Sequence, residues 1–319
     1  MNHTSQPALI ALDWGTSSLR GYLMARDGAL LERRAQPWGI QRLPEGGFIA
    51  AFRGIAGDWR DELPSLPVLA AGMIGSRQGW LEVPYVECPA NREAIAAGIV
   101  ACDAACGTLH IVPGLMQGGK LPDVMRGEET QIVGALSLAP ELATESLFVL
   151  PGTHCKWADV RDGHVIGFKT YITGELFATL RDHSILGRPA KEAVIPPVEA
   201  TTAATDAAFL RGLETARESG GEGVAGRLFT TRALFLDGQL TAPQTLDYLS
   251  GLLLGEEIRS VLAGLKGRPC PPLVLLGDAG LCERYRVALA AFGIDRVGVF
   301  GETGPAGLWQ IASAARLLA

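Results

Sequence analysis

The chain has 319 residues, with 28 Lys plus Arg against 34 Asp plus Glu and a formal net charge of −6 at pH 7. That length predicts two domains, each able to bury a core without metal or disulfide support. The mild acidity excludes the clustered positive charge that nucleic acid requires. Glycine, at 40 residues, is well above the roughly 7% average and is scattered through patterned sequence, which excludes a collagen or a disordered linker.

Met1–Pro7 is polar, and Ala8–Leu12 is too short an apolar run for a signal-peptide core. The densest apolar segment, Leu246–Leu265, carries Glu256, Glu257 and Arg259, so no membrane span is expected. Six cysteines, at 88, 102, 106, 155, 270 and 282, form no C-x-x-C pair. Reduced thiols, no zinc site and a cytoplasmic location are the expectation. Neither a membrane nor a nucleic-acid partner is expected, and homo-oligomerisation is left open.

In chain order, Ala8–Leu12 reads as a strand, followed by Asp13-Trp-Gly-Thr-Ser-Ser18 and an alternating run, Leu19–Ala25. Arg26-Asp-Gly28 is a hairpin signal, and Ala29–Arg34 resumes the extended pattern. Pro44–Arg60 reads as a loop and an amphipathic helix, Leu66–Ala71 as a buried strand, Asn91–Ala105 as a helix and Leu109–Pro113 as a strand. The order then recurs. Leu147–Leu150 is a strand, Pro151-Gly-Thr-His-Cys-Lys156 a turn, and Trp157–Val160 and His164–Thr170 flank an Arg161-Asp-Gly163 turn. The two Gly-Thr pairs lie 137 residues apart, which points to an internal duplication.

Downstream, Thr202–Glu218 is helical in composition. Thr241 is placed to cap a helix with Pro243 in its first turn and a buried stripe of Leu246, Leu249, Leu253, Ile258, Val261 and Leu265. Leu273–Leu276 is a strand that runs through Gly277-Asp-Ala-Gly280 into a helix with Leu281, Tyr285 and Leu289 on its apolar side and Gly293 as its stop. Val297–Phe300 is a last strand and Thr303–Leu318 a closing helix. Alternating strands and helices define the α/β class.

Five segments have the residue types of a phosphoryl-transfer site. Gly15 lets backbone approach a ligand, Thr16, Ser17 and Ser18 offer hydroxyls to phosphate oxygens, and Asp13 at the strand end suits Mg²⁺. Gly152, Thr153, His154 and Lys156 make a second such turn; Cys155 reads as a small turn residue. Gly277, Asp278, Ala279 and Gly280 leave room for a flat or anionic group at a helix start. Glu128 and Glu129, before the helical run Ile132–Leu138, offer a general base, although acids there also complement the helix dipole. Ser76, Arg77, Gln78, Trp80 and Tyr85 lie in a loop after a strand, where ligand-specific groups gather, and Arg77 suits a planar carboxylate. No Walker A sequence occurs.

With these segments in order, the chain resembles the ATPase superfamily that includes actin, heat-shock chaperones and sugar kinases. More closely, it resembles the 2-dehydro-3-deoxygalactonokinase family, through Ala11–Arg20, Ala71–Trp80 with Pro84-Tyr85, Met125–Gln131, Leu150–Trp157, Thr173–Leu176 and Gly304–Ala312. The resemblance implies two ribonuclease-H-like domains with a cleft between them. They span 1–145 and 146–302, and the helix 303–319 packs on the first. It implies ATP and Mg²⁺ as cofactors and transfer of the γ-phosphoryl group to the 6-hydroxyl of 2-dehydro-3-deoxy-D-galactonate, in galactonate catabolism. Sugar kinases of this superfamily commonly place an Asp after Gly before the second phosphate turn. Here Gly127-Glu128 stands there, which makes Glu128 the expected base and keeps Glu129 as the alternative. Other acceptors, a different keto-deoxy acid or a ketose, fit the same frame, as does a non-catalytic sensor.

Overall fold

The computed structural model describes residues 6–104, 107–193, 202–265 and 267–318. Cys106 and the polar residues 1–5 lie outside that range. The first half comprises β1 (Pro7–Trp14), β2 (Leu19–Ala25), β3 (Leu30–Gln36), α1 (Gly47–Glu62), β4 (Val68–Gly72), β5 (Val86–Glu87), α2 (Arg92–Ala97), β6 (Val100–Ala104), β7 (Gly107–Ile111), β8 (Leu115–Gln117), β9 (Asp123–Met125) and α3 (Glu128–Leu138). The second comprises β10 (Glu145–Leu150), β11 (Cys155–Arg161), β12 (His164–Tyr171), α4 (Thr173–His183), α5 (Arg188–Glu192), α6 (Thr202–Arg217), α7 (Thr230–Leu236), α8 (Gln244–Gly264), β13 (Leu273–Leu276), α9 (Ala279–Ala291), β14 (Val297–Phe300) and α10 (Gly304–Ala314). This is a mixed α/β fold.

Strand order carries the duplication. One sheet runs β3-β2-β1-β4-β7-β6, another β12-β11-β10-β13-β14, and β5-β8-β9 form a small third sheet. The first five positions of the large sheet are matched one for one by the second. In the large sheet β1 pairs antiparallel with β2 and parallel with β4, and β4 pairs parallel with β7. β1 is central and almost wholly buried, which its continuous apolar run allows. β3, at the edge, is largely exposed and carries Glu32, Arg33 and Arg34, charges that discourage pairing with another chain.

The chain forms two compact units, Met1–Phe148 with Lys156–Lys169 and Phe300–Ala319, and Val149–Cys155 with Thr170–Val299. In the first, α1 buries Ala51, Phe52, Ile55, Ala56 and Trp59 against β1 to β3, in a core with Leu12, Trp14 and Leu19. α10 packs on β1, β4, α2 and α3. The α3–α10 crossing is close because both helices have glycine there: a Cβ on Gly134 would overlap the Thr303 carbonyl, and one on Gly307 the Thr130 carbonyl. In the second unit α8 is the central helix, crossed at Gly251 by Gly212 of α6.

Five local expectations need correction. Asn91–Ala105 is not one helix: Asn91 caps the short α2, Gly98 ends it, and the alternating Val100–Ala104 pairs antiparallel with β7. The hydroxyl of Thr241 is bonded to the Gln244 side chain, and α8 begins after Pro243 with no side-chain cap. Its buried surface also takes in Tyr248, Leu252, Leu254 and Glu257, while Leu246, Val261 and Leu265 are only partly covered, so α8 is surrounded and not amphipathic. On α9, Cys282 and Ala288 are buried with Tyr285 and Leu289, and Leu281 is exposed. α10 ends at Ala314, four residues before the expected Leu318.

The helix crossing makes a stability prediction. Gly307→Ala forces α10 away from α3 and is expected to cost about 2–3 kcal/mol in urea unfolding, against the helix-propensity gain of about 1 kcal/mol. Gly264→Ala, whose Cβ meets nothing, is expected to be neutral or slightly stabilising. Equal effects would remove the close-approach explanation.

Candidate active site

Asp13 ends the buried run of β1 and lies opposite Arg20 of β2. Its Oδ2 accepts from Arg20 Nη1 at 3.1 Å, and the side chain remains a quarter exposed. Partial burial raises the Asp13 pKa, Arg20 opposes that rise, and nearby Glu302 adds to it. Glu302 in turn accepts from the Tyr22 hydroxyl at 2.7 Å and pairs with Arg33 at 3.1 Å. Neither Arg20 nor Glu302 was among the sequence candidates. Glu302 lies 289 positions from Asp13 in the chain, and only the fold brings them together.

The first turn closes through Gly15 N–H to Ser18 O at 2.9 Å. A Cβ on Gly39 would overlap the Thr16 carbonyl and Ser17 nitrogen, so the neighbouring loop lies flat on the turn. Thr16 and Ser17 are exposed and Ser18 is half-buried. No hydrogen bond among the described residues uses the Thr16 or Ser17 amide or hydroxyl. Those donors are what a phosphate would take.

At the second turn Thr153 and His154 are exposed, and a Cβ on Gly152 would meet only open space. The turn is held from beneath by the start of α4. Glu175 N–H donates to Thr153 O at 3.0 Å, Glu175 Oε2 meets His154 Nε2 at 2.5 Å, and Gly174 lies against the Gly152 carbonyl. Thr173 and Tyr285 both donate to the buried carboxylate of Glu257, anchoring α4 and α9 on α8. Burial holds the Tyr285 hydroxyl well above its ordinary range. Cys155 is buried at the start of β11, consistent with a packing role. Lys156 lies on β11, and its buried side chain donates from Nζ to Val124 O at 2.9 Å. Gly277, in a conformation with φ +136°, leads from β13 to α9, where Asp278 caps the helix through Leu281 N–H at 3.0 Å. Asp278, Ala279 and Gly280 form an exposed shelf, with the Asp278 carboxylate committed to the cap.

Glu128 and Glu129 are separated by environment. α3 starts at Glu128, earlier than the expected Ile132, after Gly127 at φ +107°. Glu128 is half-buried and its Oε2 accepts Arg126 N–H at 3.0 Å. Glu129 is fully buried, and its oxygens accept Gly127 N–H at 2.7 Å and the Thr130 hydroxyl at 2.9 Å. Burial, with Glu128 adding repulsion, pushes Glu129 up to about 7. Gly127 lies against Gly72, and Gly72 (φ +94°) against the Trp14 carbonyl, so the acid pair sits beside the carboxyl ends of β1 and β4.

The loop after β4 is tightly self-bonded, with Trp80 N–H donating to Ile74 O and Val83 N–H to Gly75 O. Arg77 and Gln78 are exposed; Ser76 is buried. Trp80 belongs to the core more than to an open pocket: its ring is 6.0 Å from Trp14, 5.7 Å from Phe48 and 6.5 Å from Phe52. Tyr85 covers the guanidinium of Arg126, which is 4.3 Å from its ring centre.

A duplicated strand order, two hydroxyl-bearing turns and an acid at a helix start beside the first define a class, the α/β small-molecule kinases. Within it the chain belongs to the 2-keto-3-deoxy-galactonokinase family, whose pattern matches residues 13–311. It is 36% identical over 307 residues to the 2-dehydro-3-deoxygalactonokinase of Escherichia coli (strain K12), covering 96% of this chain and 97% of that one. It is 38% identical to a Rhizobium meliloti (strain 1021) protein named as a probable 2-dehydro-3-deoxygalactonokinase, over 89% of this chain and 90% of that one. A solved Sinorhizobium meliloti structure, described as a candidate enzyme of the same kind, superposes with a TM-score of 0.83 at 36% identity, covering 96% and 98% of the two chains.

Glu129 gives a pH signature. Its folded value, about 7, lies above the ordinary 4.5, so the native state holds a proton that the unfolded chain has released between those pH values. Stability is therefore lost as pH rises from about 4.5 to about 7, by roughly 3 kcal/mol for this group. Glu129→Gln is expected to flatten that part of the profile in urea unfolding from pH 4.5 to 8. An unchanged slope would mean that Glu129 ionises freely.

Proposed function

We propose that this chain transfers the γ-phosphoryl group of ATP to the 6-hydroxyl of 2-dehydro-3-deoxy-D-galactonate, as a cytoplasmic step of galactonate catabolism. The observation that carries the site is the contact series Trp14–Gly72–Gly127, which gathers Asp13 and Glu128 at the strand ends where α/β folds take ligands. Thr16, Ser17, Thr153 and His154 receive the phosphates, and the shelf at Gly277–Gly280 takes the adenosine. The matched sheet orders support reading the chain as two ribonuclease-H-like domains, 1–145 with 303–319 and 146–302, that take nucleotide into a cleft. The loop from Ser76 to Tyr85 serves the acceptor.

The donor set fits Mg²⁺. Asp13 keeps Oδ1 without a hydrogen bond, and among the described residues no three His, Cys, Asp or Glu side chains form a cage. Mg²⁺ favours such sites, since it retains water and phosphate oxygens as ligands. Bound there, it would neutralise charge on the transferring phosphates. The half-buried Glu128 is the base: it takes the 6-hydroxyl proton as the new O–P bond forms and the bond to the ADP oxygen breaks. Glu129, protonated or hydrogen-bonded out of reach, sets the helix start and not the proton transfer.

ATP consumption across 2-keto-3-deoxy acids, ketoses and plain hexoses tests the acceptor. Turnover is expected with the keto-deoxy acid, whereas activity on an uncharged hexose alone would overturn the substrate. Glu128→Gln is expected to lower kcat by about 10²–10⁴ with ATP binding retained. Full activity would return the role to Glu129.

A further inference from the structure

Arg126 lies between β9 and α3, two residues before Glu128, and only 7% of it is exposed. Of its five N–H donors the structure uses one, from Nη2 to Val83 O at 2.7 Å. Nε and Nη1 are buried without a partner, and Arg126 has no ion pair among the described residues. The Ser76 hydroxyl is likewise buried and unpaired. Gly75, the residue before Ser76, would bring a Cβ to 2.8 Å from Nη1, so the loop backbone lies directly on the guanidinium. Tyr85 stacks over the other side. Gly114 in turn is packed against the Tyr85 ring, at 2.8 Å from a built Cβ.

A guanidinium is rarely taken out of water without a counter-charge, because desolvating an unpaired ion is costly. Arg77, the arginine of this loop with the expected carboxylate role, faces solvent instead, where a flexible side chain offers little to a ligand. We propose that Arg126, with the Ser76 hydroxyl, is the seat of the acceptor's carboxylate and the source of the enzyme's preference for sugar acids over neutral sugars. The planar fork of arginine matches a planar 2-keto carboxylate, and the anion supplies the missing counter-charge. Seated there, the acid end of the acceptor lies beside the segment that carries Glu128, so one stretch, Arg126-Gly-Glu128, handles both ends of the molecule. The inference rests on the keto-deoxy acid being the acceptor.

The test compares wild type, Arg126→Met and Arg126→Lys on the keto-deoxy acid and on its neutral counterpart with hydroxymethyl in place of carboxylate. Arg126→Met is expected to raise KM for the acid about ten- to a hundredfold, leave KM for ATP within about twofold and erase the preference for acid over neutral compound. Arg126→Lys, which keeps charge but not the fork, is expected to fall between. Without ATP, the acid is expected to raise the melting temperature of wild type and not of Arg126→Met. The unliganded Met variant is expected to melt no lower than wild type, since an unpaired buried charge has gone. A retained preference in Arg126→Met overturns the carboxylate seat, as does a rise in KM confined to ATP. So does an absent thermal shift in wild type. Failure of wild type to phosphorylate any keto-deoxy acid overturns instead the substrate reading, which the ATP panel reports separately.

Discussion

The site of this enzyme depends on three backbones lying almost in contact. Gly72 ends β4 against the carbonyl of Trp14, and Gly127 opens α3 against Gly72. A Cβ on Gly72 would come within 2.8 Å of the Trp14 oxygen, and both glycines have positive φ, so neither position tolerates a side chain without a shift of the strand ends. Parallel pairing of Trp14 with Gly72 aligns the carboxyl ends of β1 and β4. The helix start that carries Glu128 then has one place to go. The aromatic cluster of Trp14, Phe48, Phe52 and Trp80 packs below, and Trp14 is pinned through its Nε1 to the Trp38 carbonyl. The placement of Glu128 beside the ends of β1 and β4 is thus set by packing and not by side chains reaching for one another.

The same segment concentrates two ionisable groups that burial disfavours. Arg126 is a covered cation without an anion, and Glu129 a covered acid pushed up to about 7. They do not pair with each other: the Glu129 oxygens are bonded to the Gly127 amide and the Thr130 hydroxyl. An unpaired buried charge such as that of Arg126 costs stability, of order several kcal/mol. Both groups lie within two residues of Glu128, and polar groups left unsatisfied in native proteins commonly mark functional sites.

Much of this was legible in the residues, and the limits have physical causes. Turns announced themselves: Gly15–Ser18, Pro151–His154 and Gly277-Asp278 all fall between the elements expected of them, because glycine and hydroxyl chemistry is local. The acid pair was found, but not the difference between its members, since burial is a tertiary property. Sequence likewise shows Arg77 in a polar loop and cannot show that its side chain is exposed while that of Arg126 is covered. Arg20 and Glu302 went unseen because a strand register and a 289-residue separation bring them to Asp13. The glycine excess was also only half read. Gly134, Gly307, Gly212 and Gly251 sit inside helices at close crossings, where the pattern of turns gives no cue.

The duplication is an equality of strand order but not of chemistry. Aligned on their Gly-Thr pairs, Asp13 corresponds to Leu150 and Arg20 to Trp157. The first copy thus has a partly exposed ion pair at the end of its central strand, and the second has two side chains at most 4% exposed. Polarity in the second copy enters one turn later, as His154 against Glu175, on a floor stabilised by the buried Glu257. The asymmetry is therefore one of residue type at matched positions: the first copy presents an acid paired with an arginine, and the second buries apolar side chains there.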